Sequence, residues 1–233
     1  MIRATAEVAL MRGADAEAGL FHSDRAALRQ ILLEAERNTA LLEDLLRLAR
    51  ADAGTASLRM KPVNAAESLR ATCQECAPLA AKRGIHLRFD PPGHSAWVTA
   101  DEGCLRSLFR IILDNALKYT QAGGSVDAAL LTDLPAYAIC RIKDTGIGIS
   151  EEDLPHIFER FYRSDRVRSR EEGGAGLGLA IAEWMARSHG GRIEVDSALG
   201  AGSTFYIVLP ARRAAELISE STAQRLSLEG KQV

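Results

Sequence analysis

Aromatic residues make up only 5% of this 233-residue chain. With a hydrophobic content of 47%, that scarcity suits a helix-rich α/β protein. An excess of one charge is also missing. Lysine and arginine number 29 against 31 acidic residues, a net charge of −2, so nothing points to nucleic acid as a partner. No apolar run approaches the roughly 18 residues that a membrane-spanning helix needs. No signal peptide is read at the start, where Met1-Ile2-Arg3-Ala4-Thr5 runs into a helical pattern. The expected location is cytoplasmic, and a membrane sensor would require a longer version of the chain. Cysteine is sparse: Cys73, Cys76, Cys104 and Cys140. Cys73 and Cys76 form a CxxC, but no second pair completes a four-ligand zinc site. These residues read as small buried or half-buried thiols rather than a metal or redox centre. There is no internal repeat. The length suits one domain of ordinary size plus a helical appendage.

What is present divides the chain into three parts. Residues 1–53 read as helical, with a loop from Gly13 to Ser23. Ser23 can cap the second helix, and Asp24 in its first turn suits the helix dipole. Leu28, Ile31, Ala35, Asn38, Leu42, Leu45 and Ala49 follow a/d spacing, and Leu32, Leu41, Leu46 and Leu48 widen the stripe. A helical hairpin that dimerises into a four-helix bundle would bury this face. Packing on the chain's own domain is the alternative. Asn38 either sets the register of the seam or is merely tolerated there.

Residues 55–211 alternate strand and helix signals. Leu58–Val63, Ile85–Phe89 and Trp97–Ala100 read as strands, with Pro91-Pro92-Gly93 as a turn. Asn64 is placed to cap a helix to about Lys82, and Gly84 to stop it. A second helix covers 101–119. Ser125–Leu131 and Ala136–Lys143 read as a hairpin joined through Asp133 and Pro135. A helix from about Gly176 to Ser188 and a hairpin of Arg192–Asp196 and Thr204–Leu209 close the domain at Pro210. Residues 212–233 are polar, without a stripe, and read as a poorly ordered tail.

Four segments carry chemistry. In the 101–119 helix, Leu105, Leu108, Phe109, Ile112, Leu113 and Ala116 form a core face. Asn115, Lys118 and Tyr119 lie at i, i+3 and i+4 on its flank. Asn115 offers an amide oxygen to a hard cation such as magnesium, Lys118 a charge to phosphate, and Tyr119 a ring edge and hydroxyl. Asp144 ends an apolar strand and opens Asp144-Thr145-Gly146-Ile147-Gly148-Ile149. A carboxylate there can accept the amino hydrogens of adenine, where guanine presents an oxygen. Gly146 and Gly148 permit close backbone approach.

Gly174-Ala175-Gly176-Leu177-Gly178-Leu179 precedes a helix whose first N–H groups favour anions. Leu177 and Leu179 are expected to anchor that turn in the core. Phe158 and Phe161 bracket an expected short helix, and the basic stretch from Arg163 to Glu172 reads as a lid hinged at Gly173-Gly174. Arg163 is placed to reach a terminal phosphate, whereas Arg166, Arg168 and Arg170 read as a solvated face. Gly200, Gly202, Ser203 and Thr204 form a turn into a strand; pocket lining and plain turn chemistry explain it equally well.

In chain order the segments resemble the N, G1, F, G2 and final glycine-rich boxes of sensor histidine kinases, over roughly residues 24–211. The resemblance implies an α+β fold: a Bergerat-type two-layer α/β sandwich, a mixed sheet with helices on one face, preceded by an α-helical hairpin. It implies ATP and Mg2+ as cofactors, with Asn115 on the metal. Asn115, Lys118, Tyr119, Asp144, Gly146, Gly148, Ile149, Gly174, Gly176, Leu177, Gly178, Leu179 and Thr204 would contact nucleotide. Asn115, Lys118 and Arg163 would serve catalysis. The γ-phosphoryl group of ATP would pass to a histidine, then to an aspartate of a response-regulator receiver domain. A homodimer would form through the residue 24–51 helix.

Two departures stand out. The family's phosphoacceptor box would end immediately before Met1. His22 has no following Arg-x-Pro pattern, and His86, His94, His156 and His189 have no better claim. Autophosphorylation of this chain alone is therefore not expected. Ile111 occupies a place where the family usually has Asn, four residues before Asn115. Besides a kinase core, the residues allow an impaired nucleotide-binding module that pairs with other kinase subunits. An ATP hydrolase of the gyrase–chaperone type would lack its water-activating glutamate at Ile111. The leucine-rich helix speaks against an anti-sigma-type serine kinase.

Overall fold

Two asparagine-family caps start the two long helices of this computed structural model. Asn64 accepts the N–H of Ala66 at 3.1 Å and opens α1, Ala65–Lys82. Asp101 accepts the N–H of Cys104 at 2.9 Å and opens α2, Glu102–Tyr119. Each cap satisfies donors that the first helical turn leaves unpaired. Gly84, at φ +67, ends the first helix. The structure describes residues 57–91, 96–131, 136–164 and 175–212, with positions 31, 32, 35, 39, 42, 45, 46, 49 and 53 besides. The chain divides into two compact units, Met1–Ala56 and Ser57–Val233.

In the first unit, every described position from Ile31 to Ala49 is helical. Ile31, Leu42, Leu45 and Leu46 are exposed. The loop at 13–23 and its Ser23 cap, Asn38, Leu41 and Leu48 lie outside the described residues, as does the tail beyond Arg212.

In the second unit, β1 (Lys61–Asn64) pairs antiparallel with β3 (Trp97–Ala100). The main sheet takes the order β2-β4-β5-β7-β6, from His86–Asp90, Ser125–Leu131, Tyr137–Asp144, Gly202–Pro210 and Arg192–Ala198. β2 runs parallel to β4 and the other pairs are antiparallel, so the sheet is mixed. Alternation sends Ala138, Cys140 and Ile142 of β5 to one side with Phe205, Ile207 and Leu209 of β7. There they meet Leu69 of α1, the predicted face of α2 (Leu105, Leu108, Phe109, Ile112, Leu113, Ala116) and Ile181 of α3, Gly178–Ser188. Lys143, Arg88 and Glu194, on the opposite face, are exposed. The mixed sheet with its helices is the α+β sandwich expected from the sequence.

The seam between α2 and α3 has a polar fastening at its far end. His189 is buried, with Nδ1 2.6 Å from the Met185 carbonyl and Nε2 accepting the Asp101 N–H at 3.1 Å. Cys73, Cys76 and Cys140 are buried free thiols. Burial, aided by Cys76, pushes the Cys73 thiol up to about 12, and burial pushes Cys76 up to about 11.

Four expectations need correction. Phe158 and Phe161 do not bracket a helix. The short 3₁₀ turn is Leu154–His156, and Phe161 adopts φ +64, which no right-handed helix allows. α3 starts at Gly178 because Gly176, at φ +74, cannot continue a helix backwards. Leu177 is buried as an anchor, but Leu179 is only half-buried, since it falls on the flank of α3. The first strand is shorter than the expected Leu58–Val63, beginning at Lys61.

Candidate functional site

The end of α2 and the end of β5 meet. Asn115, Lys118 and Tyr119 are half-buried on the last turns of α2, and Lys118 Nζ lies 5.1 Å from the Tyr119 ring centre. The Tyr119 carbonyl accepts the Ile147 N–H at 3.2 Å. A side-chain carbon on Gly146 would sit 2.5 Å from that carbonyl oxygen. Glycine there lets the loop lie directly on the helix end.

Asp144 projects from the end of β5 toward the helices and is 4% exposed. Its Oδ1 accepts the N–H of Gly146 at 2.8 Å and of Ser203 at 3.2 Å. Burial pushes its carboxyl above the usual range, and the two N–H bonds pull the other way. Both bonds fall on one oxygen, so Oδ2 is left without a hydrogen bond among the described residues.

The Gly200–Thr204 turn packs against the Asp144 loop. Gly200 donates its N–H to the Ile147 carbonyl at 2.7 Å. A side-chain carbon on Gly202 would collide with the Asp144 carbonyl, and one on Gly148 with the Ala198 carbonyl. Ile149 donates its N–H to Ser197 Oγ at 2.9 Å. Thr204 is half-buried and pairs with Lys143. Sequence reasoning named Ser203 only as a turn residue and missed Ser197. The available signal was a polar side chain in phase with Ile193 and Val195 on the inward face of β6.

The glycine turn before α3 touches a different neighbour. Phe161 donates its N–H to the Gly176 carbonyl at 2.9 Å, and a side chain on Gly176 would meet the Phe161 backbone at 2.8 Å. Among the described residues no side chain caps the first turn of α3. Uncapped N–H groups and the helix dipole favour an anion. A carbon on Gly178 would sit 3.4 Å from Ile111 Cγ2, so Ile111 faces the start of α3. Tyr162 donates its hydroxyl to Asp153 Oδ1 at 2.6 Å, and Arg163 beside it is half-buried. Gly174 and the basic stretch from Arg166 to Glu172 lie outside the described residues.

Residues 100–213 match the family described as histidine kinase-, DNA gyrase B-, and HSP90-like ATPase. The solved structure of the mycobacterial sensor histidine kinase MprB is 30% identical, with a TM-score of 0.56; the match covers 66% of this chain and 98% of that one. The chain belongs to the sensor histidine kinase family. It is 39% identical over 183 residues to the sensor histidine kinase RppB of Synechocystis sp., covering 78% of this chain and 40% of the relative. It is 37% identical over 177 residues to the sensor histidine kinase YkoH of Bacillus subtilis, covering 76% of this chain and 37% of the relative. A crystal structure of full-length ShkA in complex with AMPPNP superposes with a TM-score of 0.73 at 27% identity, covering 91% of this chain and 43% of that one. The chain thus spans about two fifths of the length of these relatives. No helix among the described residues is long and apolar enough to cross a membrane.

Proposed function

We propose that this chain binds Mg-ATP between α2, the Asp144 loop and the start of α3, and donates the γ-phosphoryl group to a histidine outside the sequence. The observation that carries this reading is Asp144: a buried carboxylate with one oxygen fixed by two N–H bonds and the other left for a ligand. Oδ2 accepts an amino hydrogen of adenine, and the loop glycines let the base lie close to backbone. The uncapped first turn of α3 takes phosphate oxygens. The AMPPNP bound by the ShkA neighbour supports an adenine nucleotide as ligand.

The half-buried amide of Asn115 is a hard neutral donor that suits magnesium, which keeps most of its shell as water and phosphate oxygens. Bound there, the ion neutralises phosphate charge. Lys118 adds a fixed positive charge, and Arg163 balances charge on the terminal phosphate. Phosphoryl transfer depends on such positioning and charge neutralisation more than on covalent chemistry by the protein. The phosphorylated histidine then supplies the aspartate of a response-regulator receiver domain. The exposed Ile31, Leu42, Leu45 and Leu46 of the residue 24–51 helix form the seam of a homodimer. Residues 1–53 serve as the dimerisation part, 55–211 as the catalytic part and 212–233 as a tail.

Ile111 against Gly178 supports a second reading, a nucleotide-binding module that pairs with other kinase subunits and transfers nothing. Labelled Mg-ATP separates the two. The chain is incubated alone and as an extended version carrying a histidine box upstream. Acid-labile, alkali-stable label on the extended version alone is the expected result. ATP binding without label on either version overturns the kinase reading in favour of the module.

A further inference from the structure

We infer that Ser197 is a positioning residue for nucleotide-base selection, its hydroxyl tying the loop after Asp144 to the β6–β7 turn that holds the Asp144 carboxylate. The inference rests on the adenine-binding reading above and goes beyond it to a residue that touches no ligand.

Ser197 Oγ sits at a junction of three groups. It accepts the Ile149 N–H at 2.9 Å and donates to the Gly202 carbonyl at 2.9 Å. Ser203 Oγ lies 2.9 Å away. With the Ser197 proton committed to Gly202, the Ser203 hydroxyl donates, and every bonding position of the Ser197 hydroxyl is filled. The next backbone N–H along, that of Ser203, lands on Asp144 Oδ1. The turn therefore touches the loop at three places: Gly200 on Ile147, Ser197 on Ile149, and Ser203 on Asp144.

Glycine makes this approach possible, and Ser197 makes it specific. Gly202 permits close contact with the Asp144 backbone but cannot choose among the sliding positions of the turn. The Ser197 hydroxyl bonds both sides at once, to Ile149 in the loop and Gly202 in the turn. Removing it takes a partner from the Ile149 N–H, the Gly202 carbonyl and the Ser203 hydroxyl together. Stranded polar groups cost more than the bonds themselves contribute, so the turn relaxes toward new partners. The Ser203 N–H then leaves Asp144, and the carboxylate loses the bond that fixes its rotation. Phosphate contacts at the start of α3 are untouched. Base discrimination should fall more than overall nucleotide affinity.

The experiment measures dissociation constants of Mg-ATP and Mg-GTP by calorimetry for the whole chain and for Ser197→Ala, Ser197→Thr and Asp144→Asn. The native chain is expected to prefer ATP. Ser197→Ala should reduce the ATP-to-GTP ratio about tenfold, the size of one or two hydrogen bonds, and Ser197→Thr, which keeps the hydroxyl, should restore it. A general loss of stability would weaken both nucleotides equally and leave the ratio unchanged. A ratio unaltered in Ser197→Ala, while Asp144→Asn lowers it, overturns the role of Ser197 alone. A native ratio near one overturns the adenine reading itself, and this inference with it. Should Ser197→Ala not fold, Ser203→Ala removes one bond of the same junction, and an unaltered ratio there is equally adverse.

Discussion

The proposed base side, around Asp144, and the proposed phosphate side, at the start of α3, are built on opposite principles. Around Asp144, backbone approaches backbone at glycines 146, 148 and 202, and hydrogen bonds from Gly146, Ser203, Gly200 and Ile149 join the loops. At the start of α3 the first turn has no side-chain cap among the described residues, Asn115 and Lys118 are half-buried, and an aliphatic Ile111 faces Gly178. The first region is held in place by the protein's own hydrogen bonds and close backbone contacts. The second, in the proposed reading, offers backbone N–H groups at a helix start, where the dipole favours a charged ligand. Selectivity should therefore reside in the rigid half and charge-dependent affinity in the open half.

The largest test of that division is Asp144→Asn. An amide in place of the carboxylate forfeits a charge-assisted acceptor and can present N–H to the base. ATP affinity should fall about a hundredfold, with GTP affected little, as read by calorimetry. Equal losses for both nucleotides would place Asp144 outside base recognition.

Two glycines of one turn sharpen the comparison. Gly202 has φ +83 and no room for a side chain beside the Asp144 backbone; Gly200 has φ +81 and nothing within 4 Å. Both alanine variants bear the left-handed backbone cost of about 1–2 kcal/mol. Gly202→Ala adds overpacking of about 1–3 kcal/mol. Denaturant melts should therefore separate the two by about 2 kcal/mol. Equal stabilities would mean that the turn does not press on the Asp144 loop in solution.

Acidification should blur the base side first. Burial raises the Asp144 carboxyl despite its two N–H bonds. A raised value means that the proton arrives at a higher pH than on an ordinary aspartate. The protonated group offers an O–H that suits the guanine oxygen, so the ATP-to-GTP ratio falls as pH drops through that titration. Phosphate protonation affects both nucleotides and cancels in the ratio. A ratio that stays flat until the ordinary aspartate range of about 4 is reached would contradict the burial argument.

What could be read without coordinates followed from local rules. The α2 core stripe, the Asn64 cap and the Gly84 stop each depend on residues within a few positions of one another. The mixed sheet and the α+β class were legible through the resemblance that the ordered motifs carry. The left-handed Phe161 was not legible, because its backbone partner is Gly176, fifteen positions downstream in sequence. Ser197 escaped for a similar reason. Its partners, the Ile149 N–H, the Gly202 carbonyl and the Ser203 hydroxyl, meet it only through the β6–β7 register and the loop from β5. Long-range register converts an ordinary strand serine into a junction, and no local pattern marks it.

Ile111→Asn is the smallest effect expected and tests the open half directly. Ile111 Cγ2 lies in van der Waals range of where a Gly178 side chain would begin, and the residue is half-buried one helical turn before Asn115. An amide there adds one hard oxygen beside the Asn115 amide, at the cost of an aliphatic contact that is incomplete in the native chain. Magnesium binds such oxygens in preference to none, though it retains water and phosphate oxygens for most of its shell. Mg-ATP binding should therefore tighten by about threefold, in line with one modest hydrogen-bond-sized gain, while binding of ATP in chelator stays unchanged. The ATP-to-GTP ratio should not move, because the substitution lies on the phosphate side. An unchanged magnesium dependence would show that the metal does not sit near this turn of α2. A shift in base selectivity would show that the two halves are coupled through α2 rather than independent.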